Sequence, residues 1–192
     1  MGAEGFQPGG RAPAPAPLDL VQDFVNTEIP DWARDDISSP EQLENWLRKR
    51  SLLGEHEHVD GDAFVAARAL RSTIRALALL NNVGGRLEPT VRNDLARAVS
   101  DLRLVVVVQE DGRLVAVPGG DGATRALAAI ATVVMETQAS GAWARLKACR
   151  KEGCGWLFYD GSRNSSSTWC SMSICGNRAK TAAYRRRRGK TP

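Results

Sequence analysis

All four cysteines of the chain fall in its last quarter, at Cys149, Cys154, Cys170 and Cys175, and the preceding 148 residues contain none. The spacing is C-x4-C, fifteen residues, then C-x4-C. Two short-spaced pairs joined by a loop can close into a tetrahedron of thiolates, the arrangement that structural zinc prefers. Idle thiols would not fall into two pairs of equal internal spacing. Four thiolates leave no coordination position open, so Zn2+ is expected to hold the fold together and not to activate water. In a reducing compartment the alternative use of such cysteines, as disulfides, is disfavoured.

The same segment is basic. Residues 1–140 carry 14 Lys/Arg against 20 Asp/Glu, a net of −6, whereas residues 141–192 carry 12 against 2, a net of +10. An acidic body joined to a basic segment suggests a polyanionic partner, most often nucleic acid and less often a membrane surface. A solvated basic tail is the plainer reading of the same count.

A chain of 192 residues suits one globular domain with a small appendage. Its apolar runs, 104–108 and 126–135, are far shorter than a membrane span requires. Residues 1–6 lack the basic and apolar regions of a secretory signal, so a cytoplasmic protein is expected. Residues 1–17, with their alternating Ala and Pro, read as a disordered lead-in. Apolar residues three and four apart then predict a helix from Leu18 that fades near Asn26 and Thr27. A second helix is expected over 40–50, with Ser39 as cap, Pro40 at the first turn and Leu43, Trp46 and Leu47 on its inner face. A helix of about twenty residues from Asp62 should close at Asn81-Asn82-Val83-Gly84-Gly85. Another follows Pro89, with Val91, Leu95, Val99 and Leu102 buried. The period then changes: β-branched residues over 103–108, the turn signal Glu110-Asp111-Gly112 and a second run over 113–117 predict a β-hairpin. An alanine-rich helix over 124–138 leads towards Cys149. The expected fold is therefore mainly α with one small β-hairpin: a helical N-terminal domain over 18–142, then a four-cysteine zinc finger and basic helix over 143–192.

Few residues suggest other chemistry. His56 and His58, the only histidines, alternate with Glu55 and Glu57 in a short polar connection, where a solvated loop is the ordinary expectation. There is no P-loop, G-x-G-x-x-G or H-E-x-x-H, and no nucleophile has a recognisable base, so no catalytic residue is assigned and an enzyme is not expected. Asp23, Asn26, Thr27 and Trp46 could line a small-molecule pocket between the first two helices, although core packing and C-capping explain them equally well.

The most specific constellation is Cys149-Arg150-Lys151-Glu152-Gly153-Cys154-Gly155-Trp156-Leu157-Phe158, followed by Ser162-Arg163-Asn164, Trp169-Cys170-Ser171-Met172 and Cys175-Gly176-Asn177-Arg178. It resembles the CGNR zinc-finger family, named for the tetrapeptide that closes it. Upstream, Asp23-Phe24-Val25-Asn26-Thr27, residues 43–47 and Leu70-Arg71 are similar to the helical ABATE domain that accompanies this finger. The resemblance implies a bacterial transcriptional regulator whose finger binds DNA, with small-molecule sensing as the expectation for the N-terminal domain. One departure stands out: the family tends to be basic between the S-R-N and W-C-S-M blocks, where this chain has Ser165-Ser166-Ser167-Thr168. Those hydroxyls can hydrogen-bond phosphates but cannot neutralise them. The basic load lies instead at Arg185-Arg186-Arg187-Arg188 and Lys190.

A helix continuing from the fourth cysteine would place Arg178 and Arg185 on one part of its surface and Lys180 and Arg187 on another. Such a helix suits phosphate contacts on both sides of a groove, with few side chains reaching base edges. Asn177 and Arg178, beside a metal ligand, are the better candidates for defined DNA contacts; Lys180, Arg185, Arg186, Arg187 and Arg188 supply charge, and Arg163 and Asn164 are candidates in the inter-pair loop. Trp156, Phe158 and Trp169 are expected to be the finger's core rather than a base-stacking platform. An RNA-binding module and a protein-interaction platform are the alternatives. A homodimer is the default for a duplex reader with so small a finger.

Overall fold

The computed structural model describes residues 7–188. Residues 1–6 of the lead-in, and 189–192 with Lys190, lie outside the described residues, as does the side chain of Arg188. The order is α1 (Leu18–Val25), β1 (Glu28–Ile29), β2 (Arg34–Asp35), α2 (Pro40–Lys49), α3 (Gly61–Val83), α4 (Pro89–Ser100), β3 (Leu104–Val108), β4 (Leu114–Pro118), α5 (Gly122–Ala139), β5 (Leu146–Ala148), β6 (Leu157–Tyr159) and α6 (Asn177–Arg188).

The fold is mainly helical, and the local signals act where they stand. Ser39 Oγ accepts from the Gln42 N–H at 3.2 Å, and Pro40 occupies the first turn of α2. Gln42 reaches back to the N–H of Ser38, at 2.7 Å, one residue before the cap itself. Asp60 caps α3 through the Ala63 N–H at 2.7 Å. The core is one cluster built from α1, α2, α3 and α5, with Phe24, Leu43, Leu47, Leu70, Ile74, Leu127 and Ile130 inside it. Removing such side chains from water is what holds these short helices together, since few would persist alone.

The expected hairpin is present, Leu104 pairing with Pro118 and Val108 with Leu114. Gly119 closes it: a Cβ there would lie 2.7 Å from both the Arg103 carbonyl oxygen and Val105 Cγ2. Two further antiparallel pairs join it, β1 with β2 around a 3-10 turn at Pro30–Trp32, and β5 with β6. Strands of two or three residues are too short to show an alternation, so the sequence pattern does not reveal them.

The expectation of a disordered lead-in fails for residues 7–17. Arg11 donates to the carbonyls of Cys170 (Nε, 2.8 Å) and Trp169 (Nη2, 3.1 Å), and its guanidinium stacks 4.7 Å from the Phe158 ring centroid. Gln7 Oε1 accepts from Gln22 at 3.1 Å and Trp156 Nε1 at 3.3 Å, and Ala14 is buried in the main core. The segment forms neither long helix nor ladder, as its prolines dictate, but polar side chains tie it across both halves of the chain.

Candidate metal centre and nucleic-acid interface

The cysteines are delivered by two turns. Cys149 follows β5 and extends its ladder, its N–H bonding the Trp156 carbonyl at 2.9 Å. The chain then doubles back through Gly153 (φ 80°) and Gly155 (φ 61°), which flank Cys154 in the left-handed region that glycine alone adopts freely. Gly155 is required twice over, because a Cβ would lie 2.9 Å from Cδ of Arg75 on α3. Of the second pair, Cys170 precedes and Cys175 lies within a π-helical turn, Met172–Gly176, that runs into α6. Ser171 organises it: its carbonyl accepts from the N–H groups of Cys175 (2.9 Å) and Gly176 (3.1 Å). A Cβ on Gly176 would meet Met172 Sδ at 2.5 Å and Trp169 Cδ1 at 3.2 Å, so a side chain there would displace Met172.

All four thiols are buried, and their sulfurs lie within 4.8 Å of one another. The Sγ–Sγ separations are 3.8 Å for Cys154–Cys170, 3.5 Å for Cys170–Cys175 and 3.7 Å for Cys175–Cys154. A zinc tetrahedron with bonds of about 2.3 Å has edges of about 3.8 Å. Disulfides would need roughly half that separation. The titration behaviour points the same way. Hydrogen bonding from Cys154, then Cys170, brings the Cys149 thiol down to about 2. Sharing with Cys149 pushes Cys154 up to about 12, contact with Cys149 and Cys154 pushes Cys170 up, and burial pushes Cys175 up. Thiolates packed this closely repel one another, so four together need a dication among them. The donor set fits structural Zn2+, held by Cys149, Cys154, Cys170 and Cys175, which would cross-link the two turns. Ile29, Trp156 and Phe158 form a buried shell around the cage and Trp169 packs on it, so the aromatics are core here.

The loop between the cysteine pairs is fixed by a polar centre that sequence reasoning missed. Lys147 Nζ and Asp160 Oδ2 are 2.8 Å apart, both buried. Asp160 also accepts from Ser162 Oγ (2.6 Å) and from the N–H groups of Ser162 (3.1 Å) and Ser167 (2.9 Å). Lys147 donates to the Ser165 carbonyl. Burial would raise the Asp160 carboxyl, but Lys147 and these donors outweigh it and hold the group far below the usual carboxylate range. Main-chain groups of Ser165 and Ser167 are thus held by this centre, while Arg163 and Asn164 are exposed.

Among the remaining expected contacts, Asn177, Arg178 and Arg185 line one concave surface of α6 with Ser173, Ile174, Thr181 and Ala182. Lys180 and Arg187 fall on the opposite side by the helical period, with Arg186 between the two faces. Arg178, Lys180, Arg185, Arg186 and Arg187 are all exposed. Asn177 Nδ2 makes a local bond to the Ser173 carbonyl at 3.1 Å. Asp31 approaches the same end of α6: it pairs with Lys151 at 2.5 Å and lies 3.8 Å from Arg178.

The four residues expected beside a pocket between α1 and α2 all have partners within the fold. Asn26 bonds both main-chain groups of Leu157, Thr27 Oγ1 accepts from the buried Arg71 at 3.1 Å, and Asp23 pairs with Arg50 at 3.2 Å. Trp46 packs on Phe24 with Arg50 stacked on its other side. A groove of about 870 Å3 lies elsewhere, between α3 and α4, floored by Ala66, Ala69, Ala98 and Leu102 and rimmed by Asp62 and Asp94. None of the four lines it. His58 lies 3.3 Å from Glu44, and among the described residues the metal-ligating side chains gather only at the four cysteines.

Residues 18–141 match the ABATE family, described as "Putative stress-induced transcription regulator". The chain belongs to the ABATE family. Residues 145–188 match the CGNR zinc finger, so this ABATE protein carries that finger at its C-terminal end. No curated protein matches the chain. No helix among the described residues is long and apolar enough to cross a membrane.

Proposed function

We propose that this ABATE protein is a cytoplasmic transcription regulator that binds duplex DNA through α6 and its zinc-held base. The observation that carries this reading is the shared concave face of Asn177, Arg178 and Arg185, with the small Thr181 and Ala182 between them. Small residues let the helix approach a groove floor, while Arg and Asn are the side chains suited to guanine and adenine edges. Arg186, Arg187 and Lys180, off that face, provide phosphate contacts without sequence information, as do Arg163 and Asn164 in the inter-pair loop. Because Cys175 and Gly176 lead directly into α6, loss of metal would remove the anchor of the reading face.

Selection of zinc-loaded protein on a random duplex library, at two salt concentrations with RNA competitor present, tests this. A recurrent motif that survives the higher salt and is weakened by Arg178→Ala supports it. Binding that collapses with salt and yields no motif, or that RNA competes away, overturns it in favour of an RNA-binding or protein-interaction module. For the sensing role we place the small molecule in the α3–α4 groove, not beside Asp23 and Trp46. Filling the groove with Ala69→Trp should abolish any effector response without altering zinc content.

A further inference from the structure

α3 is 23 residues long and α4 only 12, and the short connection over 84–88 folds α4 back antiparallel along its neighbour. α4 therefore covers the C-terminal half of α3. Over the N-terminal half the groove stays open, and α5 closes its base with Thr124 and Leu127. Side-chain size keeps the space clear. Ala63, Ala66, Ala69 and Ala76 face it from α3 and Ala98 from α4, at the three- and four-residue spacing of one helical face. A groove of about 870 Å3 has the capacity of a small-molecule site, and the buried Leu102 and Leu127 give it an apolar base.

The charges on its walls select the occupant. Asp60 and Asp62 stand at the start of α3, and Asp94 and Asp101 on and just after α4, against a single cation, Arg97. The sum is −3, four carboxylates and one guanidinium. Arg97 pairs with Asp94 at 3.3 Å, and Asp60 caps α3 through the Ala63 N–H. Asp62 and Asp101 are exposed, and neither has a cationic partner among the described residues. The buried hydroxyl in the groove belongs to Thr73, which donates to the Ala69 carbonyl at 2.8 Å and so offers a ligand only its lone pairs. An anion would meet uncompensated carboxylates here, and a neutral apolar molecule would leave them as they are. A cation with an apolar body gains from both the base and the walls.

We propose that the α3–α4 groove takes a lipophilic organic cation, with its apolar body against Leu102 and Leu127 and its charge beside Asp62 and Asp101. This rests on the reading of the groove as the effector site and adds the chemical class of the effector. It does not depend on the finger binding DNA.

Tetraphenylphosphonium and tetraphenylborate test it, because they share shape and apolar surface and differ in the sign of their charge. Each is titrated calorimetrically into the zinc-loaded full chain without DNA, and binding at the groove is the part that Ala69→Trp removes. The phosphonium should bind at one equivalent, at least tenfold more tightly than any borate at the groove. Asp62→Asn with Asp101→Asn should weaken the phosphonium about tenfold and narrow that gap, whereas Glu110→Gln, on the β3–β4 hairpin, should change neither. These exposed charge changes keep the test decisive if Ala69→Trp disturbs folding. Absence of phosphonium binding up to about 1 mM overturns the proposal. So does phosphonium binding that Ala69→Trp or the two asparagines leave unchanged in a folded protein. Borate binding at the groove as tightly as phosphonium would overturn the cation and keep the groove as a site. No binding of either ion there would remove the cation and leave groove sensing to the effector response of Ala69→Trp.

Discussion

Asn26 and Leu157 pair as two strand residues would, through one side chain. Asn26 Nδ2 donates to the Leu157 carbonyl at 2.9 Å, and the Leu157 N–H donates to Asn26 Oδ1 at 2.8 Å. The carboxamide at the end of α1 thus completes the edge of β6, the strand that returns from the zinc knuckle. Replacing Asn26 with Ala leaves the buried Leu157 N–H without this acceptor, while Gln22 still donates to its carbonyl. A loss of about 2 kcal/mol is expected from an orphaned buried donor. Denaturant titration of the zinc-loaded protein checks it, and a change under about 0.5 kcal/mol would mean that the pair does not couple helix to finger.

Changing any one cysteine to serine should abolish stoichiometric zinc binding, because three thiolates and a neutral hydroxyl neither match the donor set nor balance the dication. Cys175→Ser is the most informative, since that residue begins the passage into α6. The expected result is loss of zinc by elemental analysis, with most far-ultraviolet helical signal retained, because α1, α2, α3 and α5 share a core outside the cage. Zinc that stays bound at one equivalent would show that the assigned ligand is wrong.

The zinc cage was legible in the sequence because cysteine spacing is a local signal, and so were the helices α1 to α5, from their periods, and the β3–β4 hairpin, from its β-branched runs and turn residues; the buried face of α4 was not, since Val91, Leu95 and Val99 are only half-buried and Ala98 is buried instead. What joins the helical region to the finger was not. Asn81, which reads as part of a helix stop, donates to the Trp143 and Leu146 carbonyls, both at 2.8 Å. Asn82 does the same for Ala148 (2.7 Å) and Thr168 (2.9 Å), and both residues lie inside α3. Side-chain bonds to main-chain groups more than sixty residues away carry no periodicity and ask nothing of the partner's residue type. The same is true of Arg11, whose proline-rich neighbourhood pointed to disorder.

Asp160 makes the loop between the cysteine pairs sensitive to acid. Its folded carboxyl titrates below the ordinary value of 3.8, so its contribution is fully present above that value and is lost as pH falls through and below it. Asp160→Asn removes this dependence and leaves Lys147 buried without its counter-charge, at a cost of about 3 kcal/mol near neutrality. Stability should therefore be lower in the variant at pH 7, and the difference should shrink below about pH 4. Zinc is released by acid in both proteins, so it is their difference that reports Asp160. A gap that stays constant down to pH 2 would contradict the assignment.

Asp31 brings a carboxylate from the turn between β1 and β2 to the start of α6. There it pairs with Lys151 and lies 3.8 Å from Arg178, within reach of the face proposed to read DNA. Held in that position, it withholds part of two positive charges from any approaching phosphate and repels the phosphate itself. Asp31→Asn keeps the shape and removes the charge. Affinity for non-specific duplex should rise, and the slope of log affinity against log salt should steepen by about 1, as further counterions are released. If Arg178 also contacts a base, the gain should be smaller when Arg178→Ala is already present, a coupling that a double-mutant cycle measures. An unchanged salt slope would place Lys151 and Arg178 away from the nucleic acid and would turn attention to the far side of α6, where Lys180 and Arg187 lie.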